Sequence, residues 1–151
     1  MTERTHRSGV VVSDDPSRLD VGVIHDALTR AYWSPGVPRA VVEAAAAGSL
    51  PFGLYDGPDQ VGYARVVTDR ATFAYLADVF VLESHRGRGL GTWLTRQILG
   101  HPDLQGLRRW LLTTQDAHGL YERAGFVRAP FPERFMVIDR PDLYRPTSPD
   151  A

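Results

Sequence analysis

Two arginines and three glycines lie within six residues in the middle of the chain, from Arg86 to Gly91. An apolar run precedes this turn, and residues at helical spacing follow it. Because glycines let the backbone bend tightly, a strand that enters a helix through them presents free N–H groups at the helix start. Such groups bind phosphate, and arginine pairs with it. The turn therefore predicts a diphosphate site, and the alternative is an exposed turn without a ligand.

The spacing of the glycines separates this turn from two known nucleotide motifs. After Gly89 the next glycine comes one residue too early for the dinucleotide pattern G-x-G-x-x-G. No lysine follows, as a P-loop would require. The turn alone therefore does not identify a nucleotide-binding class.

The elements around the turn follow from apolar periodicity and turn residues. The order is strand, two helices, three antiparallel strands, helix, strand, helix, strand. We predict an α+β fold with a mixed, mainly antiparallel central sheet and helices on both faces, in which the long strand lies centrally. The predicted ranges are a strand at 10–12, helices at about 15–31 and 38–47, a hairpin of 52–55 and 61–67, a strand at 71–82, a helix at 90–100, a strand at 109–113, a helix at 117–124 and a strand at 135–138.

Length and composition predict one domain, at 10–140, with a flexible N-terminus at 1–9 and a peripheral Pro-rich tail at 141–151. A net charge of −1 argues against nucleic acid as a partner. No apolar run is long enough to span a membrane, and the first residues lack the apolar core of a signal peptide. The chain has no cysteine, which fits a cytoplasmic protein and excludes a cysteine nucleophile.

Two segments resemble the signatures of one family. The turn, Arg86-Gly87-Arg88-Gly89-Leu90-Gly91, is similar to the R/Q-x-x-G-x-G/A signature of the GNAT acetyltransferase superfamily. Residues 117–126, AHGLYERAGF, resemble its second signature, A-x-x-L-Y-x-x-x-G-F. The two lie in the family's order, and the element order resembles it over about 10–140.

The resemblance implies that acetyl-CoA is the co-substrate. The turn would hold its pyrophosphate, and the pantetheine arm would pair with the backbone of the long strand, as an added strand does. Thr114 stands where the family often has an asparagine that contacts the cofactor. The cofactor-binding residues implied are Val79, Phe80, Val81, Arg86, Gly87, Arg88, Gly89, Leu90, Gly91, Thr92 and Thr114.

The resemblance also implies a general acid, Tyr121, which would protonate the departing thiolate. Asp78 is the only charged residue between Phe73 and Leu82, and a carboxylate in an apolar strand needs a partner or a task. It would attract or deprotonate an amine, or it is a structural aspartate bonded to backbone or to an arginine such as Arg65. The histidines share no metal-binding spacing, so we assign no metal.

The function expected from the resemblance is direct transfer of an acetyl group to a primary amine, with a small-molecule acceptor. A protein or peptide N-acetyltransferase remains open, as does a non-catalytic module that binds or senses acyl-CoA. Closed homo-oligomers are common among soluble proteins, so a homodimer is also expected.

Overall fold

In the computed structural model, which describes residues 1–145, one six-stranded sheet follows the order of the chain. The first four strand pairs are antiparallel, and the last is parallel. The strands are β1 (Glu3–Thr5), β2 (Val11–Ser13), β3 (Leu50–Asp56), β4 (Asp59–Thr68), β5 (Phe73–Val81) and β6 (Arg109–Leu111). The helices are α1 (Val21–Arg30), α2 (Arg39–Ala47), α3 (Leu90–Leu99) and α4 (His118–Ala124).

Helices cover both faces of the sheet, as the sequence predicts. The larger core packs the apolar side of α3, including Leu94 and Ile98, against the inner strands, and Tyr121 and Phe126 pack at its margin. The smaller core packs α1 and α2 around the buried ring of Tyr63. Since side chains alternate along a strand, β4 serves both cores. The predicted α+β class and sheet type are confirmed.

Local sequence fixes most helix ends. The carboxylate of Asp20 accepts from the N–H of Val23 at 3.1 Å and so caps α1. Asp15 caps a separate 3-10 turn, Pro16–Arg18, in the same way. The predicted first helix therefore begins later than expected, at Val21. Gly125, with φ of 111°, ends α4 in the left-handed conformation that glycine favours.

The pairing of β5 with β6 is short. Only Phe73–Tyr75 pairs with Arg109–Leu111, whereas the other edge of β5 pairs with β4 from Ala74 to Val81, with a register shift at residues 78–79. The prediction that the long strand lies centrally therefore holds for its first three residues alone. Beyond Tyr75, the edge of β5 that faces away from β4 is not covered by another strand in the described part of the chain.

The sequence predicts a flexible N-terminus at residues 1–9, but part of this segment has regular structure. Glu3–Thr5 forms β1 and pairs with β2. The carboxylate of Asp14 accepts from the N–H of Thr2 at 2.6 Å, and its other oxygen accepts from Nε2 of His101 at 2.8 Å. These contacts fasten the start of the chain to the end of α3.

The prediction of a last strand at 135–138 is wrong. Those residues have no regular secondary structure, and their side chains are exposed. The tail is also less peripheral than expected, because Tyr144 packs against the core formed by α1 and α2. Residues 146–151 of the predicted tail lie outside the described residues. None of the described helices is both long and apolar enough to cross a bilayer.

Candidate active site

The turn before α3 presents a row of backbone N–H groups. Gly87 and Gly89 have φ of 81° and 73°, the left-handed region that favours glycine. The first helical hydrogen bond of α3 joins the N–H of Trp93 to the carbonyl of Gly89 at 3.0 Å. None of the N–H groups from residue 87 to residue 92 finds an acceptor among residues 1–145. A Cβ added at either glycine would meet nothing within 4 Å, so the row opens onto free space.

These features fit an anion. Unpaired N–H groups at the start of a helix combine with the positive end of the helix dipole to favour phosphate. Arg86 and Arg88 are exposed and form no ion pair within the described residues. Nε of Arg86 donates to the carbonyl of Val81 at 3.0 Å, which holds this guanidinium beside the turn.

The third glycine of the turn has a packing role that the sequence did not suggest, and the leucine packs in the core, as its helical spacing predicts. Gly91 is helical, and a Cβ there would lie 2.7 Å from Cδ1 of Leu120. It therefore allows α4 to approach α3, whereas Gly87 and Gly89 shape the turn. The side chain of Leu90 is 2% exposed and belongs to the core, so only its backbone can serve a ligand.

A cleft of about 1280 Å³ brings together most of the residues that the sequence assigns to the site. It runs from the α1–α2 connection, along the free edge of β5, to the turn and α4. The predicted residues that line it are Asp78, Val79, Phe80, Val81, Arg86, Gly87, Gly89, Gly91, Thr92, Thr114 and Tyr121. Arg88 and Leu90 do not line it.

The free edge of β5 offers fewer backbone groups than predicted. Tyr63 pairs with Phe80, and the N–H of Leu82 donates to the carbonyl of Val61 at 2.8 Å. Because backbone groups alternate in direction along an antiparallel strand, those of Phe80 point to β4 and those of Val79 and Val81 point to the cleft. Phe80 instead packs its side chain against the α1–α2 core. We therefore expect a strand-like ligand to pair at Val79 and Val81 and not at Phe80.

Tyr121 lies on α4, and its half-buried ring meets that of Phe126 edge to face at 6.1 Å. Burial raises the pKa of Tyr121 to about 12, and the nearby Tyr32 and Asp116 act in the same direction. The phenol is therefore neutral at pH 7. Tyr121 lines the cleft, and its hydroxyl makes no hydrogen bond with any of residues 1–145, so it is free to donate to a ligand.

Thr114 has a local partner as well as a place in the cleft. Its hydroxyl oxygen accepts from the N–H of Ala117 at 3.0 Å, just before α4. The hydroxyl hydrogen is left to donate, which a side-chain amide at this position could also do.

Asp78 has a partner on each carboxylate oxygen. Oδ1 accepts from Nε1 of Trp33 at 2.9 Å, and Oδ2 accepts from Nε of Arg65 at 2.6 Å. Asp78 itself has φ of 56°, a conformation that aspartate tolerates better than most residues, where the β4–β5 register shifts. The ion pair with Arg65, which is one of the interpretations open from the sequence, is present in the structure, and Asp78 also lines the cleft.

Two contacts at the cleft join distant parts of the chain. The hydroxyl of Tyr32 accepts from the N–H of Gln115 at 2.9 Å and so links the end of α1 to the loop after β6. Tyr144, from the tail, also lines the cleft. No signal in the sequence places Tyr144 at the cleft.

A family model and a curated relative both match acetyltransferases. The sequence model of the Acetyltransferase (GNAT) family matches residues 21–126. A curated relative from Gibberella zeae, named as an acetyltransferase, is 37% identical over 138 residues, which cover 76% of this chain and 77% of that protein.

Solved structures of acetyltransferases have similar folds. A crystal structure assigned to the GNAT family, from Xanthomonas campestris pv. campestris, is 50% identical with a TM-score of 0.87, and the match covers 91% of this chain and 97% of that one. A structure of a predicted acetyltransferase with acetyl-CoA, from Clostridium acetobutylicum, shares the fold at 10% identity, with a TM-score of 0.62 and 86% and 94% coverage.

The sheet, the amide row at α3 and the cleft beside β5 thus define an acetyltransferase of the GNAT class. With the family match over residues 21–126, the chain belongs to the GNAT acetyltransferase family.

Proposed function

We propose that this protein transfers an acetyl group from acetyl-CoA directly to the primary amine of a small molecule. One observation carries the proposal: unpaired amides of the turn at Gly87, Gly89, Gly91 and Thr92, the open edge of β5 and Tyr121 all line one cleft. The diphosphate of CoA would bind the amides, its amide-bearing arm would pair with the edge of β5, and the departing thiolate would accept a hydrogen bond from the hydroxyl of Tyr121.

The charge around the turn supports a polyanionic donor. A second cavity, of about 540 Å³, adjoins the cleft at Gly89 and Thr92. Arg7, Arg96 and Arg123 line it, and none of them pairs with a carboxylate within residues 1–145. Since the whole chain has a net charge of only −1, this is a local excess of positive charge beside the amide row. It suits the phosphorylated end of CoA.

The transfer forms an N–C bond and breaks the C–S bond of the thioester. The amine, with a pKa of roughly 10, must reach the carbonyl carbon unprotonated, and the proton that nitrogen loses ends on sulfur overall. Tyr121 supplies the hydrogen bond to sulfur as negative charge develops there. A thiol in water has a pKa of about 8.5, below that of the Tyr121 phenol, so complete proton transfer from Tyr121 to the thiolate is unfavourable and the phenol acts as a hydrogen-bond donor.

Asp78 is assigned a positioning role in this proposal. Trp33 and Arg65 donate to its two oxygens, and the charge of Arg65 favours the ionised carboxylate over one that takes up a proton. It fixes the irregular segment of β5 next to Val79, where the donor arm would pair. The amine would then enter the cleft already deprotonated.

The acceptor end of the cleft supports a small molecule. Tyr32 and Trp33 are 46% and 41% exposed and pack edge to face, with centroids 5.0 Å apart. Tyr75 and Tyr144 line the same cleft. Aromatic walls suit a compact acceptor that they can partly enclose. A peptide acceptor is the second candidate, since Tyr32 and Trp33 at this end of the cleft are exposed.

A panel of primary amines and amine-bearing peptides, assayed with acetyl-CoA, tests the proposal. A thiol reagent reports the released CoA without background, because the chain has no cysteine. We expect at least one small amine to give turnover, and mass spectrometry to show that this amine has gained one acetyl group in place of one hydrogen. Turnover with peptides alone would favour the protein-acetylating alternative. Tight CoA binding with no turnover for any amine would favour a non-catalytic module.

A further inference from the structure

A short apolar segment near the C-terminus is exposed to an unusual degree. Met136, Val137 and Ile138 are 94%, 82% and 94% exposed, and Phe135 is 42% exposed. Four consecutive apolar residues, two of them β-branched, form a typical strand sequence. Exposed contiguous apolar surface of this kind marks an interaction site in soluble proteins. We refer to residues 135–138 as the exposed segment.

The sheet has an unpaired edge nearby. β6 is the last strand in the order, and within residues 1–145 no strand pairs with its outer side. An unpaired strand edge is a template for a further strand. The molecule therefore holds both an unpartnered strand sequence and an unpartnered strand edge.

The exposed segment does not fill the edge of its own sheet. The ring of Phe135 lies 5.9 Å from the guanidinium carbon of Arg109, the first residue of β6. If the segment runs antiparallel to β6 from Phe135 beside Arg109, its next residues extend beyond the beginning of β6. The high exposure of Met136–Ile138 agrees with this. To cover β6 antiparallel, the segment would have to place Ile138, and not Phe135, beside Arg109.

We propose that the exposed segment of one copy of the chain adds to β6 of a second copy as an antiparallel strand, and that the exchange is reciprocal. Two equivalent contacts related by a two-fold axis close into a dimer. In the register that pairs Ile138 with Arg109, residues 135–138 lie opposite residues 109–112. This one contact then pairs the free backbone groups of β6 and covers the apolar side chains of the segment.

Charge complementarity supports this register and this partner. The next pair after Ile138 and Arg109 places Asp139 opposite Arg108. Both side chains are exposed, and neither forms an ion pair in the described part of the chain. Opposite charges directly across a strand pair stabilise it. A second copy supplies both halves of this arrangement at once.

The exchange has a consequence for the cleft. β6 leads directly into residues 113–116, which line the cleft, and the N–H of Gln115 there donates to Tyr32. A strand added to the outer edge of β6 would restrain this loop from the side away from β5. The proposal does not depend on the acetylation reaction, because it concerns the sheet edge alone.

Disulfide trapping tests the register and the partner together. The chain has no cysteine, so introduced thiols are the only ones present. We would make the pairs Arg109→Cys with Ile138→Cys and Arg108→Cys with Asp139→Cys, because residues directly opposite in an antiparallel pair have Cα atoms about 4.5–5.5 Å apart. On mild oxidation and a non-reducing gel, we expect a covalent dimer from at least one pair. The control pair Ser8→Cys with Ile138→Cys, at opposite ends of the sheet, should stay monomeric.

The other outcomes of trapping contradict the proposal. A fast-migrating monomer with an internal disulfide would show that the segment pairs with its own β6. Absence of cross-linking in both pairs would show that the segment does not reach this edge.

Light scattering on the uncross-linked protein gives an independent readout. We expect wild type to have twice the chain mass of 16.8 kDa and Val137→Asp to have the mass of one chain. Val127→Asp is a matched control, since Val127 is also apolar and 81% exposed but lies outside the segment. It should remain dimeric. A monomeric wild type at micromolar concentration, or a Val137→Asp dimer, would overturn the proposal.

Discussion

Asp78 and Arg65 form an ion pair across β4 and β5, with Oδ2 of Asp78 2.6 Å from Nε of Arg65. Both side chains are largely buried, and Trp33 donates to the other carboxylate oxygen. A carboxylate held in this way stabilises a left-handed residue in a strand, where the backbone would otherwise be costly. The pair thus links the shape of β5 to the position of the cleft.

Asp78→Asn should reduce the stability of the fold and should not impair proton transfer in the reaction. The amide nitrogen that replaces one carboxylate oxygen cannot accept a hydrogen bond, so either Trp33 or Arg65 loses its partner, and we expect the free energy of unfolding to fall by about 1–3 kcal/mol, measured by urea denaturation. The shape of the pH profile of kcat/KM should not change. Asp26→Asn is the control, since its ion pair with Arg30 is exposed and contributes little. Loss of the limb of the profile on the acidic side, in Asp78→Asn alone, would show that Asp78 is the base.

Gly89→Glu should weaken CoA binding. A carboxylate at the start of α3 repels the diphosphate and competes for the amides, so we expect a loss of roughly tenfold or more, which corresponds to about 1.4 kcal/mol. Gly57→Glu is a matched control, because Gly57 also has positive φ and open space around its Cα but lies in the β3–β4 turn. Calorimetry that gives the two variants equal affinity for CoA would remove the anion site from the turn.

Tyr121→Phe should keep CoA affinity and lower kcat by about 100-fold, because it removes only the hydrogen bond to sulfur. Tyr75→Phe, which removes another hydroxyl of the cleft, should have a smaller effect on kcat. Full turnover in Tyr121→Phe would reject the role assigned to this phenol.

The pH dependence of the wild-type enzyme gives a second test of Tyr121. Burial raises its pKa to about 12, so the phenol keeps its proton throughout the range in which an ordinary tyrosine, at about 10, would lose it. We therefore expect no alkaline loss of kcat near pH 10. A decline centred there, absent in Tyr121→Phe, would contradict the environment described for this residue.

Asp14→Asn should destabilise the fold in a pH-dependent way. Burial alone would raise the pKa of Asp14, but hydrogen bonds from His101 and Thr2 outweigh it and lower the pKa below its ordinary value. A carboxyl with a lowered folded-state pKa stabilises the protein above about pH 4 and loses this effect as the pH falls further. We expect Asp14→Asn to lower the free energy of unfolding at pH 7 by about 1.5–3 kcal/mol, because hydrogen bonds to a buried, charged carboxylate are lost or weakened.

The difference between wild type and Asp14→Asn should shrink as the pH falls below 4, in chemical denaturation followed across that range. Asp59→Asn, at an exposed residue without an ion pair among residues 1–145, should match wild type at every pH. A constant difference between Asp14→Asn and wild type would contradict the assigned charge state.

Features set by neighbouring residues could be predicted from the sequence. The β3–β4 hairpin, α2 to α4 and the left-handed glycines follow from patterns within a few residues. Contacts across long separations could not be predicted: Trp33 with Asp78, Gly91 with Leu120, and Tyr144 with the cleft. β1 was missed because its strand character comes from pairing with β2. The segment at 135–138 has strand propensity, but propensity alone does not specify a partner strand.

The NMR amide resonances of residues 87–92 test most directly whether the turn binds the diphosphate. A chain of 16.8 kDa suits solution NMR. Titration with CoA should shift the amides of Gly89, Gly91 and Thr92 strongly, while pantetheine, which lacks the phosphates, should shift Val79 and Val81 and leave the turn unchanged. If CoA leaves residues 87–92 unshifted, or if pantetheine shifts them equally, the turn does not bind the diphosphate and the proposed donor site is wrong.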